Sequence, residues 1–134
     1  MNRKSARENA FILLFEGACK TDETPEEIFD KAVTVRELEC DDYVKAVFFG
    51  TYTNDRAIEE CLSACLVGWK KERVSISSKA ILKLAIYEMM FMDDIPFKVS
   101  INEAVELSKK YDDDKAYVFV NGVLNAAAET LAKK

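Results

Sequence analysis

Apolar residues recur at three- and four-residue spacing along most of the chain, and no stretch alternates apolar and polar residues for long. The pattern predicts an all-α protein. A first helix runs from about Ser5 to Cys19, with Ala6, Ala10, Leu13, Leu14 and Gly17 on one face. A short helix follows Pro25. A longer one starts near Asp42 and carries Val44, Val47, Phe48, Thr51, Asp55, Ile58, Leu62, Cys65, Leu66 and Trp69 at helical spacing, with a break expected near Thr53-Asn54. The segment from Ser78 to Met92 is apolar over most of its circumference, which predicts a central helix. Pro96 closes the connection after it. Helices over Ser100 to Tyr111 and Asp114 to Ala132 complete the set, and the small residues Gly122 and Ala126 to Ala128 are expected to let the last helix approach its neighbours closely. Ser5-x-x-Glu8, Thr24-x-x-Glu27 and Ser100-x-x-Glu103 match the capping box, in which hydroxyl and carboxylate satisfy orphan backbone donors. Pro25 suits a first helical position.

Composition agrees with this pattern. A chain of 134 residues with 49% apolar content fits one domain, residues 1–134, with material for a core. Net charge is −5, which argues mildly against a nucleic-acid partner, but the charge is polarised. Acidic residues concentrate between Asp22 and Asp42. Arg3, Lys4 and Arg7 open the chain, and Lys70, Lys71, Arg73, Lys79 and Lys83 form a second basic cluster.

Several function classes lose support. There is no histidine, so the commonest general base at neutral pH is missing, and the four glycines stand apart rather than in a phosphate loop. No enzyme activity and no cofactor are expected. Cys19, Cys40, Cys61 and Cys65 form no Cys-x-x-Cys pair and have no histidine to complete a common zinc site, so buried thiols and no metal are expected. No signal peptide is evident and the apolar runs are too short to span a bilayer, which fits a reducing cytoplasm.

The N-terminal cations sit where a helix dipole disfavours them, so they suit a docked anion; on charge alone, a frayed and solvated tail is the simpler account. Phe15, Tyr111 and Phe119 are candidates for base stacking, although rings at such positions more often belong to a core.

Three segments carry a resemblance: Ala80-Ile-Leu-Lys-Leu-Ala-Ile-Tyr-Glu88, Asp94-Ile-Pro-Phe-Lys-Val-Ser-Ile-Asn-Glu-Ala-Val-Glu-Leu107 and Phe119-Val-Asn-Gly-Val-Leu124. With Arg3-Lys-Ser-Ala-Arg-Glu-Asn-Ala10, their order and spacing resemble the NusB family of transcription antitermination factors. The resemblance implies a compact bundle of about six to seven helices in two small helical subdomains. It implies a non-catalytic adaptor that binds the boxA RNA of ribosomal RNA transcripts with NusE, a ribosomal protein, in an RNA polymerase antitermination complex. Carried over by position, it implies RNA contacts from Arg3, Lys4, Arg7, Phe15, Tyr111 and Phe119, with Lys115 adding a phosphate contact at a place often acidic in relatives. It implies a NusE-facing surface around Glu72, Ser78 and Phe97. Ser5, Ala116 and the acidic run Asp112 to Asp114 depart from the family pattern. The alternative is a helical protein-interaction or self-associating module without RNA affinity, and a homodimer stays open because apolar helical faces serve a dimer as well as a core.

Overall fold

The computed structural model describes residues 1–66 and 68–132, and among these the only regular structure is helical. Helix α1 spans Arg3–Cys19, α2 Pro25–Thr34, α3 Asp42–Thr53, α4 Asp55–Cys65, α5 Ile76–Phe91, α6 Phe97–Tyr111 and α7 Ala116–Ala132, with a 3₁₀ turn at Lys71–Arg73 before α5.

Local chemistry explains the boundaries. Thr24 and Glu27 form the expected capping box: the Glu27 N–H donates to Thr24 Oγ1 at 3.1 Å and the Thr24 N–H to Glu27 Oε1 at 3.0 Å. Asp41 accepts the Val44 N–H at 3.0 Å and starts α3. The chain breaks at Asn54 as expected, where Asn54 Nδ2 donates back to the Gly50 carbonyl at 2.8 Å. Ser75 accepts the Ser78 N–H at 3.0 Å and starts α5.

Two starts differ from the capping-box reading. Asn2 Oδ1 accepts the Ser5 N–H at 2.8 Å, so α1 begins at Arg3 and its cations belong to the first turn rather than to a tail. Helix α6 begins directly after Pro96, whose fixed φ of −61° leads into it. Ser100 therefore lies inside α6, buried, and caps nothing.

Helix α5 is central, as its all-round apolarity predicts: Ile81, Leu82, Leu84, Ala85 and Ile86 are all buried, and the helix packs on α1, α3, α4, α6 and α7. Helices α1 to α3 form one group and α4 to α7 the other, with α5 shared between them. Gly17 lets α1 meet α3: a side chain there would overlap the Tyr52 hydroxyl. Gly122 has no such role, since a Cβ there meets nothing within 4 Å; close approach of α7 comes from Ala127, which is fully buried. Trp69 does not extend the face of α4. The helix stops at Cys65, Gly68 takes a φ of +82°, and the indole is 57% exposed. Cys65 is buried and Cys19 exposed, so the thiols are not uniformly core. None of the described helices is long and apolar enough to cross a membrane.

Candidate nucleic-acid interface

The three N-terminal cations lie in the first turns of α1, but at different angles around it. Arg3 and Lys4 are exposed. The Arg3 guanidinium lies 4.4 Å from the centre of the Tyr43 ring, an attraction between a cation and the negative ring face that holds the side chain against α3.

Arg7 has a different environment from the one expected of a phosphate contact. It is 4% exposed. Its Nε donates to Glu88 Oε2 at 2.7 Å, and its Nη1 reaches Glu103 Oε1 at 3.3 Å. Glu88, on central α5, is fully buried and also accepts from the Tyr43 hydroxyl and from Ser100 Oγ, the latter at 2.7 Å. Four helices thus meet on one carboxylate. Burial alone would lower the Arg7 pKa, but the hydrogen bond and charge of Glu88, with Tyr43 and Glu103, raise it. Burial and the Glu88 charge push the Tyr43 phenol well above its ordinary value, so it stays a donor. Arg7 is committed to this network, which fixes where Arg3 and Lys4 stand.

On the adjacent face of α1, Phe11 bridges two of the expected rings. Its ring centre is 6.1 Å from that of Phe15 and 4.9 Å from that of Tyr111. Phe15 and Tyr111 are both half-buried, so each keeps an accessible part. Lys110 lies 5.4 Å from the Tyr111 ring centre and 2.6 Å from Glu8 Oε2. Lys110 and Glu8 also line a groove of about 310 Å³ between α1 and α6, together with Lys4, Lys109, Glu103 and Glu106.

Phe119 and Lys115 lie elsewhere, on a second groove of about 780 Å³ between the start of α5 and α7. The half-buried Phe119 ring contacts Trp69, with centres 4.7 Å apart. Two residues of the acidic run, Asp112 and Asp113, accept hydrogen bonds here. Asp112 Oδ2 accepts from Ser75 Oγ at 2.9 Å and Ser78 Oγ at 2.5 Å, and Asp113 Oδ1 accepts the Lys115 and Ala116 N–H groups, each at 3.0 Å, at the start of α7. Burial alone would raise the Asp112 pKa; the bonds from Ser78, the Asp113 N–H and Ser75 lower it. The second basic cluster is split: Lys71 and Lys83 pair with Glu59 at 2.6 and 2.9 Å, whereas Lys70 and Arg73 line the groove without an ion pair among the described residues.

The expected partner-facing residues do not form one patch. Glu72 is exposed in the 3₁₀ turn. Ser78 is 3% exposed and turned to Asp112, so it lies beneath the surface rather than on it. Phe97 is half-buried beyond the opposite end of α5, in a groove with Met89, Met92 and Leu131. At about 1.5 Å per helical residue, the length of α5 between Ser78 and Phe91 separates the two positions by roughly 20 Å.

Sequence reasoning missed Tyr43, Glu88 and Trp69. No local signal marks Tyr43 or Glu88, because their partners are distant in sequence. Trp69 had one: Gly68 immediately before it, a residue suited to ending a helix.

The NusB family model matches residues 4–129. The transcription antitermination protein NusB of Bacillus licheniformis is 42% identical over 125 residues, covering 93% of this chain and 95% of that protein. T. maritima NusB superposes with a TM-score of 0.84 at 31% identity, covering 96% of this chain and 92% of that one. A chain from the structure of antitermination factors NusB and NusE in complex with double-stranded RNA superposes with a TM-score of 0.83 at 28% identity, covering 96% of both. Helix order, central α5 and sequence likeness across nearly the whole length agree, and this chain belongs to the NusB family.

Proposed function

We propose that this protein is a transcription antitermination factor that binds the boxA segment of nascent ribosomal RNA transcripts together with NusE, as a non-catalytic adaptor within an RNA polymerase antitermination complex. Family membership over residues 4–129 carries the reading. A fold shared with a NusB chain solved with NusE and RNA supports it. RNA phosphates meet Arg3, Lys4 and Lys115. Bases meet the accessible parts of Phe15, Tyr111 and Phe119. Arg7 acts through position, by anchoring the turn that carries Arg3 and Lys4. NusE docks at the two ends of α5, by Glu72 and by Phe97; buried Ser78 makes no direct contact and holds the start of α5 to Asp112.

A gel-shift comparison of boxA RNA with a scrambled control, with and without NusE, tests the proposal. Retention of boxA RNA in preference to the control is expected, and NusE is expected to strengthen it. One observation favours the alternative of a protein-interaction module: the net charge of −5. Failure to retain boxA RNA even with NusE present would decide for that alternative.

A further inference from the structure

We propose that the groove between the 3₁₀ turn and α7 holds one unpaired RNA base, with Trp69 as a stacking platform beside Phe119. This rests on the RNA-binding reading above and adds a residue and a subsite to it. Trp69 leaves 57% of its surface open on a molecule whose other large rings are mostly packed. Its ring meets Phe119 at 65°, so the two form a corner rather than a closed stack. A flat base fills such a corner, stacking on one ring and lying against the edge of the other. The groove has room, because Gly122 presents no side chain and the space beyond it is empty to 4 Å. Val118 adds apolar surface on the same side and is 62% exposed.

Charge selects the occupant. Lys70, Arg73 and Lys115 line the groove without acidic partners among the described residues. These three cations outnumber the two acids that share the groove, Asp112 and Asp113, whose oxygens face Ser75, Ser78 and the backbone at the start of α7. Flat rings bordered by unpaired cations suit a base with its flanking phosphates, and because every base has a π-face this subsite tolerates any base.

Trp69 is the single tryptophan of the chain, so its emission reports the site directly. The test titrates the full-length protein with single-stranded boxA RNA, following tryptophan fluorescence and gel shift in parallel. Emission is expected to fall with the same midpoint as the gel shift. Trp69→Ala is expected to weaken binding about 5- to 150-fold and Trp69→Phe less, the range set by loss of one stacked base. Gly122→Leu fills the groove while improving helix propensity, so it is expected to weaken binding at least fivefold with no loss of melting temperature. An RNA that shifts in the gel while Trp69 emission and Trp69→Ala affinity stay unchanged overturns this subsite and leaves the RNA-binding reading standing. No shift at all, with NusE present, overturns both. Quenching by NusE alone, corrected for its own emission and without an RNA effect, assigns the groove to protein binding and overturns the proposal.

Discussion

Arg7 shows how much a cation's role depends on angle. It sits in the same two turns as Arg3 and Lys4, yet it points into the molecule and meets Glu88 at 2.7 Å. Arg7→Met leaves a buried carboxylate without its countercharge and is expected to cost about 3–5 kcal/mol of stability, measured by urea denaturation. Arg7→Lys keeps the charge but loses the planar fork, so a smaller loss is expected. Because Arg7 faces Glu88 rather than solvent, Arg7→Lys is expected to leave the salt dependence of RNA binding unchanged. Gly17 makes a second residue-level test. Gly17→Ala pushes the partly exposed Tyr52 hydroxyl aside while gaining helix propensity, so it is expected to melt below Gly17→Ala in a Tyr52→Phe background, both read by thermal melting.

Elements were legible in the sequence where their signals are local. Thr24, Pro25 and Glu27 fix the start of α2 within four residues, and Asn54 marks the break before α4. The starts of α1 and α6 moved because a stronger signal stood upstream of each serine motif: Asn2 for α1 and Pro96 for α6. The site was less readable. Which ring is half-open, and which cation is spent on a partner 81 residues away, follows from packing between helices and not from any window of sequence. Asp112 ties the start of α5 to the link between α6 and α7, and its pH dependence follows from its depressed pKa. A depressed carboxylate contributes stability above its unfolded pKa of about 4 and loses it as pH falls through the lower folded value. Asp112→Asn is therefore expected to melt below the natural protein at pH 7, with the gap closing as pH falls below about 4, in a series of thermal melts.

Over the whole molecule, an acidic total coexists with local positive ground. Some of the surface acid is paired at short range: Glu16 with Arg36, Glu23 with Lys31, Glu8 with Lys110, and Glu59 with Lys71 and Lys83. Exposed charges beyond roughly 8–10 Å are screened at physiological salt, so what a polyanion meets is the nearest unpaired cation rather than the sum. Lys115→Ala is expected to weaken boxA binding and lower the slope of log affinity against log salt by about 0.7, the value of one phosphate contact in single-stranded RNA, measured by filter binding across a salt series. The buried knot on Glu88 has a different consequence, for how this chain tolerates change. Either member replaced alone strands the other in an apolar interior, whereas an apolar pair of matching volume at both positions has no stranded charge to bear. The Tyr43 and Ser100 hydroxyls also donate to Glu88, so a library that varies positions 7 and 88 with Tyr43→Phe and Ser100→Ala is expected to recover more folded molecules than one that varies 7 and 88 alone.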